Sequence, residues 1–182
     1  MSGSLIKVDE FTVTSALSDV IIGGGSSGSS TENFAIDNTY DVYVLQYFNV
    51  FMSSDGAQNK IRFTVGGTAD ASSNYDRVSV QMYTNQGFFN SSNANGDHIS
   101  SLGLGTTHDE SDNGTLYLFN FHNSSEYSFI TREHIQTNNA GETAGIFGGA
   151  VLTVAQATDG VQFLASTGNI ASGTFKLYGI KK

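Results

Sequence analysis

The sequence predicts an all-β protein, a single jelly-roll-like antiparallel β-sandwich of about eight to ten strands with little or no helix. Three observations carry this. Short apolar or alternating runs recur with Gly, Asn and Ser turn signals between them, at a spacing of roughly 8–15 residues. No segment sustains a helical period. Both ends read as strand, so residues 1–182 are expected to fold as one domain.

The first element runs from Leu5 to Val13, as a strand or strand pair. Residues 1–13 would then serve either as a first strand or as an arm reaching a neighbour. Val20-Ile21-Ile22 follows, and Gly23 to Ser30 reads as a flexible loop inside the sandwich. An interdomain linker is the weaker reading of that loop, because the segment before it is too short to fold alone. Tyr40 to Phe51 is apolar on both faces and is expected to be central. A turn at Ser53-Ser54-Asp55-Gly56 makes Lys60 to Val65 its expected hairpin partner.

Gly66 to Ser73 reads as loop, and Arg77 to Thr84 as a strand with Val78, Val80 and Met82 on one face. Asn85 to Gly114 is long, polar and rich in Gly, Asn and Ser, and reads as a contact-making loop. Thr115–Phe121 and Tyr127–Ile135 are strands, the former central. Thr137 to Thr143 is loop and Ala150–Val154 a short strand. Val161–Leu164 is the next, opened by Asp159-Gly160. After the turn Asn169–Gly173 comes a closing strand with Phe175 and Leu177 on one face, and Thr174, Lys176, Tyr178 and Ile180 on the other.

Composition narrows the chemistry. There is no Cys, Pro or Trp. Without Cys there is no disulfide framework and no thiolate zinc site, and a cytosolically made protein is expected. Without Pro, sheet edges must be guarded by other means. Eight basic against seventeen acidic residues give a net charge of −9, a poor match to a phosphate backbone, so no nucleic-acid partner is expected. No apolar run is long enough for a membrane helix. Met1-Ser2-Gly3-Ser4 has neither a basic region nor an apolar one, so no secretion signal is expected there.

Candidate sites are sparse. His98 and His108, each beside an Asp, lie in the long polar segment, and His122 and His134 lie elsewhere; their spacing matches no strong zinc pattern. Asp109, Ser111 and Asn113 resemble the start of a calcium loop ending at Gly114. The twelfth position is Asn120 rather than a bidentate Glu, so a polar turn is the preferred reading. Gly25-Ser26-Ser27-Gly28 is low-complexity loop, not a nucleophile elbow, and no carboxylate pair stands out for glycosidase work. No catalytic, cofactor or metal residue is assigned, and no enzyme activity is expected. The acceptor-like triplets at Asn90, Asn113 and Asn123 are expected by chance in a chain this rich in Ser and Asn. Phe88-Phe89 in the polar segment fits a subunit interface, a loop folded onto the core, or a sugar-stacking platform.

Several segments carry a resemblance. They are Tyr40-Asp41-Val42-Tyr43, Leu116 to Phe129, Asp159-Gly160-Val161-Gln162-Phe163 and the tail Gly173-Thr174-Phe175-Lys176-Leu177-Tyr178-Gly179-Ile180. Together they resemble β-sandwich virion proteins of tailed phages, particularly marine ones. The resemblance implies a structural head-decoration or tail/fibre protein located in the virion and made in the bacterial cytoplasm. Its implied partners are capsid or tail subunits and further copies of itself. The alternative is a carbohydrate-binding module for a host glycan, weakened by the absence of Trp.

Overall fold

The computed structural model describes residues 4–181, the side chain of residue 181 excepted. It is an antiparallel β-sandwich, as the sequence predicts. Among the described residues the helical pieces are two short 3-10 turns, Gly25–Ser27 and His108–Glu110. The strands are β1 (Ser4–Thr12), β2 (Asp19–Gly23), β3 (Val42–Met52), β4 (Ala57–Val65), β5 (Thr68–Ala69), β6 (Tyr75–Tyr83), β7 (Gly87–Gly96), β8 (Ile99–Leu104), β9 (Asp112–Phe119), β10 (Ser128–Thr137), β11 (Thr143–Leu152), β12 (Gly160–Ala165) and β13 (Ile170–Lys181).

One sheet is eight-stranded, in the order β1-β13-β3-β9-β10-β11-β6-β7. The other is β2-β12-β4, with β8 and β5 sharing the far edge of β4. The topology is a jelly roll with two insertions. Four strands, β1-β13-β3-β9, face four others, β2-β12-β4-β8, and the chain crosses between sheets in jelly-roll sequence. The β6–β7 hairpin, entered through β5, is inserted between β4 and β8. The β10–β11 hairpin is inserted between β9 and β12. Both hairpins extend the same sheet, which explains why there are more strands than the eight to ten expected.

Between the sheets lies a cluster including Tyr43, Leu45, Tyr47, Phe63, Tyr75, Leu116, Phe163, Phe175 and Leu177. Alternation places these residues. In β4, Ala57, Asn59, Ile61 and Phe63 point inward, as do Phe175 and Leu177 of β13. In β3 the parity changes midway: Tyr43, Leu45 and Tyr47 are buried, then Val50 and Met52. A bulge between Tyr47 and Val50 makes the switch, with Asn49 at φ 53 and its N–H donating to Asn113 Oδ1 at 2.8 Å.

Several expectations are corrected. Residues 40–51 and 60–65 do not form a hairpin. The Ser53–Gly56 turn carries the chain from one sheet to the other, so β3 and β4 face each other across the core. Asn85–Gly114 is not a loop, since it contains β7, β8 and the start of β9. β7 escapes recognition because most of it is exposed, which removes any apolar alternation. The strand expected at Ala150–Val154 begins at Thr143, its glycines having masked the pattern. Gly66-Gly67, expected to open a loop, is the two-residue turn of the β4–β5 hairpin, both residues at positive φ.

The Gly23–Ser30 segment is not a free loop. Its backbone is bonded to Asp159 O by Gly24 N (2.8 Å) and to Phe34 O by Gly25 N (3.0 Å). The buried Asp9 carboxylate accepts Gly23 N at 2.9 Å and the Ser30 hydroxyl. Residues 4–12 of the proposed arm form β1, paired along β13; residues 1–3 lie outside the described residues.

Candidate interaction surface

The inserted hairpins set up an inversion in β6. Val78, Val80 and Met82 do share a face, but it is the outer one, while Tyr75 and Ser79 are turned inward and buried. The same holds along β10 and β11, where Phe129, Ile135 and Phe147 are exposed. Cross-strand register assembles these side chains into rows. One row runs Asn90–Val80–Phe147–Glu133–Thr115–Gln46, and its neighbour Ser92–Val78–Gly149–Thr131–Tyr117–Val44. A third runs Phe88–Met82–Gly145–Ile135–Asn113. Exposure reaches 77% at Phe88, 63% at Val78 and 56% at Ile135. Shallow apolar grooves of about 350 Å³ and about 520 Å³ lie beside Gly149 and Gly145. Phe88 therefore stands on an edge strand in solvent, while Phe89, on the other face, packs edge-on against Tyr83 at 5.5 Å.

The inner face of the extension mixes buried apolar side chains, among them Ile130, Ile146 and Leu152, with a buried polar run. Along β10, Ser128, Arg132, His134 and Gln136 are buried and inward. Arg132 donates to Ser100 O at 2.7 Å, and Leu102 N donates to Gln136 Oε1 at 3.3 Å. His134 Nδ1 bonds Asp112 Oδ1. Burial pulls the Arg132 guanidinium below its ordinary pKa. This network is sealed inside the sandwich, so it is structural.

The remaining sequence candidates are dispersed. His98 bonds Asp97 at 2.6 Å, and Arg62 clamps the same carboxylate at 2.7 Å. His108 lies edge-on to Phe51 at 4.7 Å. Ser111 accepts from Asn113 Nδ2, and Asn113 Oδ1 is occupied by Asn49 N, so two of the calcium-like oxygens are engaged by the protein. Among the described residues no group of three or more His, Cys, Asp or Glu side chains is placed to hold a metal ion.

His122 lines a polar pocket of about 460 Å³ at one end of the sandwich with Asn38, Asp41, Asn120, Asn123 and Ser124. Asn120 and His122 both adopt left-handed backbone, φ 60 and 62. Sequence reasoning missed this pocket, which joins two turns distant along the chain.

Comparison with family models, curated proteins and solved structures gives no match for this chain. The class of protein is therefore defined by its fold and surface, a jelly-roll sandwich with an uncovered apolar sheet face.

Proposed function

We propose that the chain is a non-enzymatic structural component of a tailed-phage virion, a capsid-decoration or tail/fibre protein acting through subunit contacts. The observation that carries the contact role is the outer face of the eight-stranded sheet, where Val78, Val80, Phe129, Ile135 and Phe147 stand in solvent. Contiguous apolar surface of this extent marks a contact surface. The virion setting rests on the sequence resemblance. Immunogold labelling of intact particles tests it: gold over heads supports decoration, gold at tail or fibre supports a tail role, and unlabelled particles would end the reading.

A second reading, carbohydrate binding, is favoured by the pocket of Asn38, Asp41, Asn120, His122, Asn123 and Ser124. Its donor and acceptor groups suit a hydroxyl-rich ligand. A glycan array tests it, with Asn120→Ala expected to abolish any signal.

A further inference from the structure

We propose that the outer face of the eight-stranded sheet is an isologous interface with a second copy of this chain. The inference rests on the subunit-contact reading above and names its partner. Three observations select a second copy.

The first is area. From β3 to β7 the sheet is six strands wide, about 29 Å, and its strands run for roughly eight residues, about 27 Å. The product, roughly 800 Å², is what one partner of a standard stable interface buries.

The second is charge. The chain carries −9, so two copies meeting at random surfaces repel. Across this face the acidic side chains are Glu133 within the rows and Asp76 at the margin, the latter accepting Asn95 N at 2.8 Å. β7 adds no charged side chain at all. A strongly charged partner would find little here to pair with, whereas a second copy presents the same sparsely charged surface, with Glu133 the one acidic side chain inside its rows.

The third is shape. Phe147 stands as a ridge between Gly145 and Gly149, which add no side chain to the same face. Grooves lie on either side of it, one bordered by Met82 and Ile135, the other by Val78 and Phe129. Ridges and grooves of matching apolar chemistry on one face are what a two-fold, self-complementary contact requires. Two such sheets stack about 10 Å apart with their side chains interdigitated.

Analytical ultracentrifugation of the full chain from about 1 to about 100 µM tests this. The expected result is a species of twice the 19.3 kDa chain mass. Phe147→Asp and Ile135→Asp, both at exposed positions, are each expected to weaken association by at least about 30-fold. The chain has no Trp, so Tyr117→Trp adds a single fluorescent reporter on the face, expected to shift to the blue as concentration rises. A wild-type chain of single mass throughout would overturn the proposal. So would a dimer indifferent to both Asp substitutions, or capture of a different protein or of phospholipid vesicles by a chain that stays single. A dimer whose antibody leaves particles unlabelled keeps this inference and ends the virion reading; a single-mass chain that labels particles does the reverse.

Discussion

Asp112 and His134 form a closed pair inside the sandwich, Nδ1 to Oδ1 at 2.8 Å, with side chains 0% and 1% exposed. A carboxylate can only accept, so the ring nitrogen carries the hydrogen. The second carboxylate oxygen accepts Asn59 Nδ2 from β4 at 3.2 Å, tying the two sheets together. Asp112→Ala leaves two buried donors without their acceptor and is expected to cost about 3 kcal/mol in urea unfolding. A loss below about 1 kcal/mol would show that the pair is not a structural tie.

Asp159 holds the glycine-rich segment through its backbone and the β4–β5 turn through its side chain. Its carboxylate accepts the Thr64 hydroxyl at 2.6 Å and Gly67 N at 2.9 Å, while its backbone oxygen accepts Gly24 N and Ile36 N. Asp159→Ala keeps the backbone contacts and removes the side-chain ones, with an expected loss of about 2 kcal/mol. Hydrogen exchange at Gly67 should accelerate in the same variant. Unchanged exchange there would refute the tie.

These two carboxylates also show where sequence reading stops. Strand existence is legible wherever one face is buried, as in β4 and β13, because burial imposes alternation. It fails at β7, exposed along most of its length, and at β11, whose glycines carry no side-chain signal. Sheet assignment is illegible for a different reason. A short Ser-Asp-Gly turn can close a hairpin or cross between sheets, and the choice depends on the β12 and β13 partners, which arrive over a hundred residues later. The outer apolar face was half visible. Val78, Val80 and Met82 read as one face, but periodicity alone does not say whether that face meets the core or the solvent.

Tyr75 anchors the β4–β5 end of the core. Its hydroxyl accepts Phe63 N at 2.9 Å and donates to Asp70 O at 3.0 Å, and its ring meets Phe63 edge-on at 5.5 Å. Tyr75→Phe retains the ring and strands a buried backbone N–H, at an expected cost of about 1–2 kcal/mol. A stabilised variant in thermal unfolding would contradict this account.

Gly148 is constrained by its neighbours rather than by its own backbone. A Cβ there would lie 2.2 Å from Val78 O and 2.7 Å from Ser79 Cβ, on the paired β6 strand. Backbone cannot yield as a flexible side chain would, so Gly148→Ala must push β6 from β11, at an expected cost of about 2–3 kcal/mol. Gly141→Ala is the contrast. Its positive φ disfavours Ala, but nothing crowds the added carbon, so its expected loss of about 1 kcal/mol is smaller. Equal losses at the two positions would mean that β6 and β11 are not held at this spacing.

Acid should weaken the fold first through His98. Burial lowers its pKa, against the opposing effect of its hydrogen bond to Asp97. A depressed folded-state pKa means that the unfolded chain takes up the proton first, so this contribution is full above the unfolded value near 6.5 and falls away below it. Asp97 follows in the same direction at lower pH. Its carboxyl is held below the ordinary range by the His98 hydrogen bond and then by Arg62, against burial, and its contribution disappears as pH falls below about 4. The melting temperature is therefore expected to drop as pH falls from about 7 to about 5, and His98→Gln is expected to flatten that window and to shrink the drop below pH 4 to the part that Arg62 sustains. A melting temperature that rises on acidification between pH 7 and 5, or a slope that His98→Gln leaves untouched, would show that the imidazole is not the group being titrated.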